Sequence, residues 1–92
     1  MQNVVFKVIF QGIVQGVGFR QSVNFVAQKY KLMGYVRNLD DLTVEMKVIT
    51  KEQTLLKLIE EIKIKAKAAT IENIHIQKEV SSEVFKPFYI HK

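Results

Sequence analysis

Apolar side chains in this chain recur at a strand period, then a helix period, and then repeat the switch, which restricts the folds open to it. Residues 3–10, NVVFKVIF, are rich in Val, Ile and Phe and too short for a free-standing helix. They read as an interior strand, because apolar side chains point to both faces. In residues 20–30, RQSVNFVAQKY, Val23, Val26, Ala27 and Tyr30 fall at helical spacing. GYVRNL (34–39) and TVEMKVIT (43–50) alternate again. In the second, Val44, Met46 and Val48 face one way and Thr43, Glu45 and Lys47 the other. Asp40, Asp41 and Leu42 make the hairpin connection between them.

A second helix opens at about Lys51, where Thr50 and Gln53 have the spacing of a capping box. Its apolar stripe runs through Leu55, Leu58, Ile59, Ile62, Ala66 and Ala69. Glu60–Lys63 and Glu61–Lys65 are spaced as ion pairs on its wet side. Residues 71–80 alternate through Ile74, Ile76 and Val80, and a short last strand near 84–90 carries Pro87, which suits an edge. The order is βαββαβ with a short extra C-terminal edge strand. Two helices packed on one face of a mostly antiparallel sheet give an α+β sandwich of the ferredoxin-like type. That fold settles no function by itself.

A chain of 92 residues is expected to form a single domain, 1–92, with a modest core. It has no cysteine, hence neither a disulfide framework nor a thiolate metal site. The N-terminal residues lack the pattern of a signal peptide, and no run approaches the roughly 18 apolar residues of a membrane span. The expectation is a soluble cytoplasmic protein with no membrane partner, monomeric by default. A net charge of +5 favours anionic partners, but the lysines are spread among glutamates and narrow the choice little.

The stretch GIVQGVGFR, residues 12–20, holds Gly12, Gly16 and Gly18 and ends on Arg20, where a strand hands over to a helix. Such a turn aims successive backbone N–H groups into one concavity, and the helix N-terminus adds partial positive charge. Arg20 could close that cradle with a bidentate grip on phosphate oxygens. The Lys-Ser/Thr pair of a Walker A loop is absent, and Gly16-Val17-Gly18 is followed by Phe19-Arg20-Gln21, not by the Rossmann spacing. From the glycines alone, a tight turn carrying a surface arginine explains the stretch equally well.

GIVQGVGFR resembles the acylphosphatase signature G-x-V-Q-G-V-x-F-R at every defined position, and Gly34, Tyr35, Val36, Arg37 and Asn38 match a second signature, G-aromatic-V-x-N. The similarity is carried by residues 4–50, and the family has the βαββαβ fold read above from pattern. The resemblance implies metal-independent hydrolysis of small acyl phosphates to a carboxylate and inorganic phosphate, with no cofactor. It implies that the backbone of Gln15, Gly16, Val17, Gly18, Phe19 and Arg20 wraps the phosphoryl group. The Arg20 side chain would hold two of its oxygens, and Asn38 would position the attacking water. Phosphoryl transfer asks chiefly for positioning and fixed positive charge. A carboxylate leaves without protonation, which accounts for the lack of any His, Cys, Asp or Glu in a base role.

The sequence departs from that family at several turns. Asp41-Leu42 stands where relatives usually have Asp-Gly, and a leucine at positive φ is strained. The expectation is therefore a different turn, with Asp40 or Asp41 in the left-handed position. Lys31 stands where the family commonly ends a helix with glycine, and costs on the order of 1 kcal/mol if that position is left-handed. The glycine that usually follows the third strand and the Gly-Pro often found after the second helix are missing too, residues 66–70 reading AKAAT.

A second class of function is a catalytically weak anion-binding or nucleic-acid-binding module that keeps the cradle. Phe6 and Phe10 invite base stacking on the sheet, but TVEMKVIT has no aromatic and offers Glu45, so core packing is the better reading and no nucleic acid is expected. Phe19 and Phe25 also read as core, and Met33 and Met46 fall on apolar faces. His75 and His91 are isolated, with no metal-ligand spacing around them.

Overall fold

The computed structural model describes residues 3–92. Its elements follow the expected order: β1 (Asn3–Ile13), α1 (Phe19–Lys29), β2 (Met33–Asn38), β3 (Val44–Ile49), α2 (Glu52–Lys65), β4 (Thr70–Ser81) and β5 (Tyr89–Ile90). The sheet order is β4-β1-β3-β2-β5, so β1 is interior and β5 lies at an edge. β1 pairs antiparallel with β3 and β4, and β2 antiparallel with β3, whereas β5 pairs parallel with β2. β1 runs past residue 10 into the glycine stretch because β4 continues beside it as far as Ile13↔Thr70, with a bulge at Gln11/Gly12. A Cβ on Gly12 would lie 2.1 Å from the carbonyl oxygen of Thr70, so the close approach of the two backbones excludes any side chain there.

Both helices cover one face of the sheet. Phe6, Val8, Phe10, Val36, Val44, Met46 and Val48 meet Val23, Val26, Leu55, Leu58 and Ile62 in one cluster. Phe6 and Phe10, 3% and 0% exposed, lie beneath the helices and have no free face to offer a base. Phe19 is equally buried and meets Phe10 edge-on, ring centroids 5.0 Å apart. Phe25 is not core: it is 58% exposed on the outer side of α1, with Nζ of Lys65 4.3 Å above its ring. Met33, at the start of β2, is also exposed.

Several local signals at α2 are not realised. Thr50 and Gln53 form no capping box; α2 starts after Lys51 without a side-chain cap. It ends at Lys65, short of Ala69. Glu60 does pair with Lys63, at 3.5 Å. Glu61 turns away from Lys65 to α1, accepting hydrogen bonds from the Tyr30 hydroxyl (2.6 Å) and Nζ of Lys29 (3.1 Å). α1 closes with the N–H of Lys31 donating to Gln28 and that of Leu32 to Ala27, a Schellman motif whose left-handed position is Lys31, φ 56°.

The C-terminal segment straps the β2 edge. The N–H of Gly34 donates to the carbonyl of Lys86, that of Phe88 to Leu32 and that of His91 to Val36. Phe85 stacks on Tyr35 over the sheet face away from the helices. There Glu45 is 5% exposed, not solvated as its place in the alternation suggests. It accepts a hydrogen bond from Nε of Arg37 at 2.9 Å, directly across the β2–β3 ladder. Burial first, and the Glu45 charge second, push the Tyr35 hydroxyl up to about 12.

Candidate active site

Topology brings the matched motifs to one rim of the sheet. β1 and β2 both run antiparallel to the β3 between them, so their C-terminal ends point the same way. Val44 of β3 stands opposite Phe10 on one side and Asn38 on the other, which sets the end of β2 two strand spacings, about 10 Å, from β1. Asn38 alternates with Val36, whose side chain is in the core. Its carboxamide therefore leaves on the helix-bearing face. Arg37 goes to the opposite face, to Glu45, and takes no part in the rim.

The loop from Val14 to Gly18 joins β1 to α1 at this rim, held at both ends by buried side chains, Val14 and Phe19, each 1% exposed. Between them Gly16 and Gly18 have φ of 76° and 74°, and Gly18 is the N-cap of α1. Left-handed backbone at both positions costs glycine little and turns the chain into the helix. None of the N–H groups of Gln15 to Arg20 donates to a protein acceptor among the described residues. They form a run of unsatisfied donors at a helix N-terminus, where an anion is favoured. A Cβ built on Gly16 meets nothing within 4 Å, so that residue borders open space. Arg20 is half-buried in the first turn, which holds no acidic residue, and no carboxylate pairs with it among the described residues.

The side chain of Gln15 was not legible as a functional group, yet it locks the rim together. Its Nε2 donates to the carbonyl of Leu39 and to that of Thr43, both at 2.9 Å, so the loop is clamped to the hairpin that follows Asn38. The hairpin is closed by the N–H of Leu39 on Thr43 and the N–H of Leu42 on Leu39. Asp41 Oδ1 accepts from both the N–H (3.1 Å) and the hydroxyl (2.5 Å) of Thr43, which hold its carboxyl below the usual carboxylate range. With Asp41 committed to that turn, neither it nor Asp40 takes the left-handed position: Leu42 itself does, at φ 72°. The turn keeps the shape a glycine would give it, at a strain of about 1 kcal/mol. Among the described residues no three His, Cys, Asp or Glu side chains gather as metal ligands. Among the described residues no helix is long and apolar enough to cross a membrane.

Comparison with known proteins shows the family and the fold. The acylphosphatase family model matches residues 6–90. The acylphosphatase of Listeria monocytogenes is 44% identical over 80 residues, which is 86% of each chain. That of Bacillus licheniformis is 34% identical over 85 residues, 92% of this chain and 94% of its own. Among solved structures, the acylphosphatase from Bacillus subtilis superposes with a TM-score of 0.87 at 34% identity, covering 97% of this chain and 99% of that one.

Proposed function

The chain belongs to the acylphosphatase family, hydrolases of small acyl phosphates, and we propose that Arg20 and Asn38 are the side chains that carry its chemistry. The phosphoryl group rests on the amides of Gln15, Gly16, Val17, Gly18, Phe19 and Arg20, and the guanidinium of Arg20 takes two of its oxygens in a fork. Asn38, at the end of β2 on the same face, holds a water in line with the bond to be broken. The water oxygen forms a bond to phosphorus as the bridging P–O bond breaks. The electron pair leaves on the acyl oxygen as a carboxylate, and the water's proton passes to a phosphate oxygen. Fixed amides and one guanidinium match the charge on the equatorial oxygens throughout, so no general acid and no metal enters the scheme.

The observation that carries this reading is the run of free amides across two left-handed glycines at the start of α1. The test is turnover of benzoyl phosphate by the purified protein in the presence of a chelator. Arg20→Ala is expected to lower kcat/KM by roughly 10²–10³-fold, the loss seen when one oxyanion donor is removed. Asn38→Ala should cost about 10²-fold through a misplaced nucleophile. Both variants should melt near wild type, since neither side chain lies in the core; ordinary turnover in both would overturn the assignment. We read the enzyme as one domain over 1–92 acting as a cytoplasmic monomer. The cysteine-free sequence fits a reducing compartment, and one chain supplies every residue of the site. Sedimentation or gel filtration checks the oligomeric state.

A further inference from the structure

The outer side of the helix layer is grooved. α1 and α2 lie antiparallel there, with Phe25 near Lys65 and Tyr30 near Glu61, and two hollows open between them, of about 270 Å³ and about 390 Å³. Phe25 and Ile64 flank the first hollow and Leu56 the second; they are 58%, 71% and 51% exposed, and none joins the hydrophobic core. Single exposed apolar side chains are ordinary, but three along one groove form a patch that the fold does not use. Glu61 lines both hollows, tied to the Tyr30 hydroxyl and to Nζ of Lys29, so a fixed polar knot stands between two apolar wells. The charges do not balance. Glu60 pairs with Lys63 and Glu61 with Lys29. Each hollow keeps one lysine with no carboxylate partner among the described residues: Lys65, above the Phe25 ring, at the first, and Lys57 at the second.

We propose that this groove is a docking site for an amphipathic helix of another protein, one bearing two apolar anchors two turns apart and acidic side chains beside them. This goes beyond the hydrolase reading and does not rest on it. Leu56 and Ile64, two turns apart on α2, are separated by about 12 Å along its axis. A helix laid alongside α2 presents side chains at i and i+7 on one face, about 10 Å apart, so one anchor enters each hollow. Acidic residues flanking those anchors meet Lys65 at one end and Lys57 at the other. The same two lysines disfavour a second copy of this chain, whose own groove would bring like charges into the contact. A flat lipid surface would cover the rims and leave both hollows unfilled. The groove begins at Phe25, more than one helical turn past Arg20, so a docked helix leaves the cradle open.

The probe is a capped synthetic helix with leucines at i, i+4 and i+7 and glutamates on either side of that stripe. Backbone amide NMR shifts of the full chain are followed as it is added, beside a scrambled peptide of the same composition and a peptide with lysine at every glutamate. The acidic helix should shift residues 25–30 and 56–65 with micromolar affinity that weakens as salt is raised, and the two control peptides should not. Leu56→Ser combined with Ile64→Ser should weaken binding by roughly tenfold, and Lys57→Gln combined with Lys65→Gln by about threefold. All four side chains are exposed, so the thermal melt and benzoyl phosphate turnover should stay close to wild type in both variants. The proposal fails if the groove amides do not move, if the scrambled peptide moves them equally, or if the double serine variant binds as tightly as wild type. Groove shifts produced only by vesicles of phosphatidylserine and phosphatidylcholine, or only by raising the protein's own concentration, would overturn it in favour of a lipid surface or a second copy.

Discussion

At the scale of single residues, Gln15 ties two distant segments together. Its carboxamide touches Leu39 and Thr43, more than twenty positions away in the chain, and thereby sets how far the loop stands from Asn38. Gln15→Leu keeps the bulk and removes both donors. Loss of two hydrogen bonds should destabilise the fold by about 1–2 kcal/mol. The larger effect falls on chemistry: kcat should drop by roughly tenfold or more, because a shift near 1 Å at a reacting group has that consequence. Urea unfolding beside benzoyl phosphate kinetics separates the two effects, and a variant that loses stability but keeps kcat would show that Gln15 only holds the hairpin shut. Gln15 also shows what a sequence withholds. It lies inside a motif that fixes its place, but its acceptors are backbone carbonyls, which carry no residue identity and leave no pattern to read. The same limit hid Leu42, whose left-handed backbone follows from Asp41 being committed to Thr43.

At the scale of elements, the ends carry more information than the middles. The interiors of β1, β3 and both helices were legible because burial imposes a period on them. Helix ends and outward-facing side chains were not, because burial imposes no period on them. Thr50 and Gln53 have cap spacing without a cap, Glu61 prefers Tyr30 on the neighbouring helix, and Phe25 sits between the core-facing Val23 and Val26 yet points outward. The end of α1 offers a direct test. Lys31 holds the left-handed place of a Schellman motif, and glycine adopts that backbone without a Cβ clash. Lys31→Gly should therefore raise stability by about 0.5–1 kcal/mol, net of the extra freedom it gives the unfolded chain. Differential scanning calorimetry should register a rise of a few degrees; a fall would mean that the lysine makes a compensating contact.

At the scale of the whole molecule, the sheet separates two environments. One face carries the core under the helices, and the other carries Tyr35, Arg37 and Glu45 under the C-terminal strap. The raised Tyr35 hydroxyl makes that second face sensitive to alkali. Below its ordinary value of 10 the tyrosine is protonated in both states; between there and about 12 the unfolded chain releases the proton and the folded chain keeps it. Stability should thus fall as pH rises through that window, and Tyr35→Phe should flatten the decline. Urea midpoints measured from about pH 9 to pH 11.5 check this, and identical slopes in both proteins would contradict it. The Gln15 clamp has a further meaning on the opposite rim. Because protein groups alone hold the loop against the hairpin, the mould that the proposed reading assigns to a tetrahedral anion is cast without one. Capture then requires little ordering of the chain, and a bound phosphate would displace water from a rigid surface without reshaping it.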